Sequence, residues 1–177
     1  YLSYIENADG KPVIVKTEKD TFQIDVEAVK DSITPKTKAI ILNSPNNPTG
    51  VIYSKESLER MREAIREKEK EFGTNIFILS DEPYVSIVYD GIELPNMLTV
   101  FENCIVINSF SKSHALPGER IGYVAASSRI DDVETLMAAM ITLNRTLGFV
   151  NAPALFQKVV AENLDVAVDT AFYQEKR

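Results

Sequence analysis

The chain has 177 residues, 45% of them hydrophobic and 25% charged, with a formal net charge of −7. That length suits one domain with a sizeable core, and an acidic balance with no basic block argues against nucleic acid or an anionic membrane as the main partner. The single cysteine excludes an intrachain disulfide and a cysteine-rich zinc site, and no stretch is long enough to span a bilayer or patterned like a secretion signal.

Strand-like apolar runs alternate with helical patterns along the chain. Residues 12–16 form the first run. Asp25 reads as the N-cap of a short helix with Val26, Val29 and Ile33 on one face, stopped before Pro35. Residues 39–43 form the second run. Ser54 then caps a longer helix with Leu58, Met61, Ile65 and Phe72 at helical spacing, ended by Gly73. Its charged side, from Glu59 to Glu71, reads as a solvated face with i,i+4 pairs. The remaining runs are 76–80, 105–108 and 121–126, and Cys104 lies inside the strand run as a small buried hydrophobe. Several runs are rich in Ile and Val without polar alternation, as expected of strands covered on both faces. A third helix is expected from 131 to about 143, burying Val133, Leu136, Met137 and Met140. A fourth begins near 151–153 with Leu155, Phe156, Val159 and Val160 inward. Such alternation implies an α/β fold, a three-layer sandwich in which a mostly parallel sheet is flanked by helices.

Ligands of parallel sheets bind beyond the carboxyl ends of strands, and three such ends carry polar groups. After the second run, residues 43–50 read N-S-P-N-N-P-T-G. The X-Pro steps hold Ser44 and Asn47 extended, and Gly50 permits a sharp exit. A stiff turn accounts for this, as does a rigid backbone that aims the Asn47 amide at a ligand oxygen. After the third run come Asp81, Glu82 and Tyr84. Asp81 is either an ordinary loop start or an acid that holds a proton on a ring nitrogen, while Glu82 reads as exposed or structural. After the fourth run come Ser109, Phe110, Ser111 and Lys112, with Arg120 beyond them at the opening of the last run. A lysine there is poorly explained as a solvated charge. It is well explained by an aldehyde cofactor with a phosphate, the amine forming an imine and the hydroxyls and guanidinium holding the phosphate. His114, the one histidine, cannot make a metal site or a Ser-His-acid triad and reads as a loop residue.

N-P-T-G at 47–50, D-x-x-Y at 81–84, S-x-S-K at 109–112 and G-x-R-x-G at 118–122 follow one another in this order. With them the chain resembles, over nearly its whole length, the fold-type I pyridoxal phosphate enzymes, specifically the class I/II aminotransferases related to aspartate aminotransferase. The resemblance implies pyridoxal 5′-phosphate as cofactor and no metal. Lys112 would be the catalytic residue, forming the internal aldimine and then serving as base and acid of a 1,3-proton shift. Its ordinary pKa of about 10.4 would have to be lowered by cationic neighbours and desolvation. Asp81 would pair with the protonated pyridine nitrogen. Asn47 and Tyr84 would hydrogen-bond the phenolic oxygen, and Ser109, Ser111 and Arg120 would hold the phosphate. The implied partners are an amino acid and a 2-oxo acid, exchanged in two half-reactions by a cytoplasmic homodimer without nucleic acid or membrane.

The first residue is Tyr1 rather than Met, and the family pattern is incomplete at both ends. The resemblance implies that 1–177 is a partial large, cofactor-binding domain, with an N-terminal segment and a small C-terminal domain outside it. Such a piece would not turn over alone. Residues 173–177 read as the start of a long helix. Lacking its family neighbour, the run at 12–16 is expected to pair abnormally, to be displaced or to pair with another copy. The other four strands should keep family order, with the last antiparallel. The same cofactor residues would also serve a carbon–sulfur β-lyase, and a non-catalytic ligand-sensing domain of a regulator is a further alternative. Substrate identity is not written in these residues.

Overall fold

The computed structural model describes residues 1–166 and 168–176. They fall into two compact units, one of residues 1–37 with 53–74, the other of residues 38–52 with 75 onward.

The first unit is helical: α1 (Leu2–Asn7), α2 (Val26–Ser32) and α3 (Lys55–Phe72). The caps read from the sequence are in place. The Asp25 carboxylate accepts from the Ala28 N–H at 2.9 Å, and the Ser54 hydroxyl accepts from the Ser57 N–H at 3.1 Å. Gly73 closes α3 in the left-handed region at φ 64°, where a side chain would be strained. Val26 and Val29 of α2 and Leu58, Met61 and Ile65 of α3 are buried. Across the two helices Lys30 pairs with Glu67 at 2.5 Å, and the Gln23 side-chain oxygen accepts from the Ser54 N–H at 3.0 Å. The other side of α3 carries the expected exposed ion pairs, Lys68 with Glu71 at 2.8 Å among them. The run at 12–16, expected to pair abnormally, to be displaced or to pair with another copy, lies outside the sheet and forms no strand. Pro12 has no N–H to give a ladder, Val13 and Ile14 are 63% and 73% exposed, and every strand of the sheet lies elsewhere.

The second unit holds β1 (Ala39–Asn43), β2 (Phe77–Asp81), α4 (Met97–Val100), β3 (Cys104–Ser109), α5 (Phe110–Ser113), β4 (Gly122–Ala126), α6 (Val133–Thr146), α7 (Ala154–Glu162) and α8 (Thr170–Glu175). The strands form one sheet in the order β1-β2-β3-β4. The pairings β1 with β2 and β2 with β3 are parallel, and β4 runs antiparallel to β3. The fold is therefore α/β with a mostly parallel sheet, in the strand order expected. Ile78, Ser80, Cys104 and Val106 are buried along its middle. Burial pushes the Cys104 thiol up to about 12, with the Glu82 charge adding to the rise and Arg129 opposing it. Among the described residues no helix is long and apolar enough to cross a membrane.

Two helical faces differ from expectation. Val133, Leu136, Met137 and Met140 do form the more covered side of α6, but all four are half-buried rather than buried. On α7 only Val160 is buried and Phe156 half-buried, whereas Leu155 and Val159 are 67% and 37% exposed. Phe156 and Val160 are four residues apart and share one stripe; their neighbours point about 100° away. Helix α8 starts ahead of the expected 173, where the Asp169 carboxylate accepts from the Phe172 N–H at 3.0 Å. Arg177, in that expected helix start, lies outside the described residues.

Candidate active site

Because β1, β2 and β3 are parallel neighbours, their carboxyl ends open on one edge, about 4.8 Å apart. Asn43 stands opposite Asp81, Asp81 opposite Ile107, and Ser109 opposite Gly122. The three motifs predicted from sequence leave the sheet at that edge.

Asn43 organises the first two. The residue is 9% exposed; its Nδ2 donates to the Asp81 carbonyl at 2.9 Å, and its Oδ1 accepts from the Asn47 N–H at 2.9 Å. Within the following loop the Asn46 Oδ1 accepts from the Thr49 hydroxyl at 2.8 Å, and the Gly50 N–H returns to the Asn46 carbonyl at 2.8 Å. The Ser44–Pro45 and Asn47–Pro48 peptide bonds are cis, and Gly50 has a φ of 72°. The loop so held presents the Asn47 amide to the next strand's loop, where Nδ2 donates to the Tyr84 hydroxyl at 3.0 Å. A hydroxyl that accepts from an amide keeps its own proton to donate elsewhere. The Lys112 amine lies 5.8 Å from the centroid of the Tyr84 ring. Three of the predicted residues, from three strand ends, therefore meet. Beside them is a cavity of about 530 Å³, lined by the 45–50 loop and by Tyr84, Ile87 and Ile92.

Side chains alternate along β2, and Ser80 and Glu82 share the face opposite to Asp81. The buried Ser80 hydroxyl donates to Glu82 Oε1 at 2.7 Å. Burial raises the Glu82 pKa above the ordinary carboxylate value, the Asp81 charge adds to the rise, and the Ser80 bond opposes it. Glu82 is thus a half-buried structural carboxyl behind Asp81.

Ser109 ends β3 and precedes the single turn of α5, in which Ser111 and Lys112 lie. The Phe110 N–H donates to the Ile121 carbonyl at 3.1 Å, which brings the backbone next to Arg120 beside Ser109 and Ser111. Arg120 has a left-handed φ of 50°, and its exposed guanidinium donates through Nη1 to the Pro117 carbonyl at 2.7 Å, on its own loop. Gly122 explains the last glycine of G-x-R-x-G. A Cβ there would stand 2.4 Å from the Asn108 carbonyl oxygen and 3.0 Å from the Ser109 Cα, so the close approach of β4 to β3 needs its absence. Sequence reasoning missed Asn43 as a site residue. Its signal was an amide at the end of an otherwise apolar strand, just before a double X-Pro loop.

The donor set fits pyridoxal phosphate. A primary amine suits its aldehyde, an amide–phenol pair its phenolic oxygen, a carboxylate its ring nitrogen, and serine hydroxyls with an arginine its phosphate.

The family model for aminotransferase class I and II matches residues 1–176. The chain is 41% identical over 145 residues to a probable aspartate aminotransferase of Methanocaldococcus jannaschii, covering 82% of this chain and 36% of that protein. It is 33% identical over 181 residues to the aspartate aminotransferase of Thermotoga maritima, covering 100% of this chain and 45% of that one. Among solved structures, an aminotransferase from Eubacterium rectale matches with a TM-score of 0.95 at 41% identity, covering 99% of this chain and 44% of that one. The chain thus spans 36% to 45% of the length of these relatives. On motif order, strand order and the match across residues 1–176, this chain belongs to the class I and II aminotransferase family.

Proposed function

We propose that this chain is part of a pyridoxal phosphate-dependent enzyme that moves an amino group between an amino acid and a 2-oxo acid. The observation that carries the reading is the meeting of Asn47, Tyr84 and Lys112 at the ends of adjacent strands, with the amide–phenol bond at 3.0 Å and the amine 5.8 Å from the phenol ring. When bound, the cofactor supplies an electron sink for the pair left on the substrate α-carbon. Lys112 Nζ would hold the cofactor at its aldehyde carbon, and the same amine would be the group that takes and returns the migrating proton. Asp81 keeps a proton on the ring nitrogen by charge. Asn47 and Tyr84 donate to the phenolic oxygen and orient the ring. Ser109, Ser111 and Arg120 would bind the phosphate, for which the Arg120 guanidinium would have to leave the Pro117 carbonyl.

Relatives named for aspartate and for aromatic amino acids both match at 41% identity, so the proposal names only the substrate class. These 177 residues cover less than half of such relatives, and turnover in this reading needs the rest of an enzyme. Exposed apolar residues on α6, Ile141 and Leu143, are in keeping with a homodimer.

The test uses full-length protein loaded with pyridoxal phosphate. Lys112→Ala should abolish both the visible absorbance of the lysine-bound cofactor and transamination. A Lys112→Ala protein that transaminates at the wild-type rate would falsify the reading.

A further inference from the structure

Helix α5 is four residues long and carries Lys112 at its third position. One helical turn has little stability of its own, because nucleation fixes several residues for one hydrogen bond. Where the Lys112 amine sits therefore depends on what grips this turn from outside. At its front the grip is the Phe110 N–H on the Ile121 carbonyl, at 3.1 Å.

At its back the grip is His114. The His114 N–H donates to the Phe110 carbonyl at 3.2 Å, and the ring packs edge-on against Phe110 with centroids 5.0 Å apart at 87°. Both ring nitrogens are engaged. Nδ1 lies 2.8 Å from the Ser113 hydroxyl, and Nε2 lies 3.0 Å from the Asn163 carbonyl at the end of α7. A carbonyl only accepts, so the neutral ring carries its proton on Nε2, and Nδ1 accepts from the Ser113 hydroxyl. Protonation would leave both bonds possible, since the hydroxyl can turn to accept. Asn163 is itself anchored to α7: its N–H donates to the Val160 carbonyl at 3.0 Å, and its side-chain amide to the Val159 carbonyl at 2.7 Å. The imidazole thus bolts the turn that bears the lysine to a fixed point 49 residues away.

We propose that His114 is a positioning residue for Lys112: through the Asn163 carbonyl it holds the α5 turn so that the amine stays over Tyr84. This rests on the reading of Lys112 as the cofactor-bearing lysine, and it adds a role for the one histidine of the chain.

Full-length protein loaded with pyridoxal phosphate is compared as wild type, His114→Gln, His114→Phe and His114→Asn. Glutamine places an amide nitrogen near Nε2 and keeps the bond to Asn163. Phenylalanine keeps the ring edge and loses both polar bonds, and asparagine is too short to reach Asn163. Phenylalanine and asparagine should each lower kcat by about tenfold with KM little changed, because a displaced amine misses its attack geometry. Each should also move the pH midpoint of the visible cofactor band by roughly half a unit or more, whereas glutamine should restore both readouts to near wild type. If His114→Phe does not fold, His114→Asn against His114→Gln decides. The proposal is overturned if these variants keep wild-type kcat and band midpoint. It is also overturned if glutamine is as impaired as phenylalanine, or if only Tm falls. Lys112→Ala separates the two readings. A band that persists in it refutes the assignment of Lys112, whereas a lost band beside unaffected His114 variants refutes the role of His114 alone.

Discussion

The Asn47 amide donates to the Tyr84 hydroxyl at 3.0 Å, joining the loops that leave two neighbouring parallel strands. The bond gives the phenol oxygen a donor and leaves the phenol proton for a third atom. In the proposed function that atom is the phenolic oxygen of the cofactor, whose ionised form the two donors stabilise together.

Tyr84→Phe tests this. The ring remains beside the Lys112 amine, and the Asn47 side chain is exposed enough for water to replace the lost acceptor. Folding stability should therefore change by less than about 1 kcal/mol. The cofactor loses a hydrogen bond to a charged oxygen, worth about 1.5–3 kcal/mol, which corresponds to roughly one to two pKa units. Spectrophotometric titration of the loaded full-length protein should show the visible-band midpoint raised by about that amount. An unmoved midpoint would mean that the hydroxyl donates elsewhere.

Gly122→Ala tests the contact between β3 and β4. The added carbon meets the Asn108 carbonyl oxygen at 2.4 Å and the Ser109 Cα at 3.0 Å, both backbone atoms that no rotamer change can move. Overpacking of this kind costs about 1–3 kcal/mol. The displaced segment carries Ser109, so under its proposed phosphate-binding role cofactor affinity should fall along with the urea midpoint. Equal urea midpoints for the two proteins would show that the strands part without cost.

Glu82 makes stability depend on pH. Burial raises its pKa in the folded protein above the ordinary 4.5, so the folded state holds this proton more tightly than the unfolded chain. Stability is then higher below the ordinary value and falls as pH rises through the window between the ordinary and the raised values. Glu82→Gln keeps an oxygen to accept from the Ser80 hydroxyl and removes the titration. Urea melts from about pH 4 to pH 8 should show the variant gaining on wild type as pH rises. A difference that stays constant across the range would exclude Glu82 as the source.

What the sequence made legible was mostly local chemistry. The caps at Asp25, Ser54 and Gly73 depend on bonds within a few residues, and the second strand-like run matches β1 at both ends. The order of the sheet and the antiparallel last strand came with the family resemblance rather than from periodicity. Residues 12–16 failed as a strand because an apolar run becomes one only beside a partner. On α6 and α7 the helical period showed which side is more apolar, but not whether anything covers it, and Leu155 remains 67% exposed. Two motifs singled out Asn47 and Tyr84, but the bond between them was not foreseen. Nor were the linkage by Asn43 and the bond from His114 to Asn163, since each depends on a partner set by tertiary structure, 38 and 49 residues away.

Asn43 has one further consequence. With its nitrogen on the Asp81 backbone and its oxygen on that of Asn47, one carboxamide acts as a gauge between an acid and an amide proposed to meet the same small ring. The gauge length is set by covalent bonds, which do not relax as packing does. Asn43→Gln would leave that span unchanged and only carry the carboxamide further from the strand, so the Asp81 backbone and the 45–50 loop would have to shift together rather than one against the other.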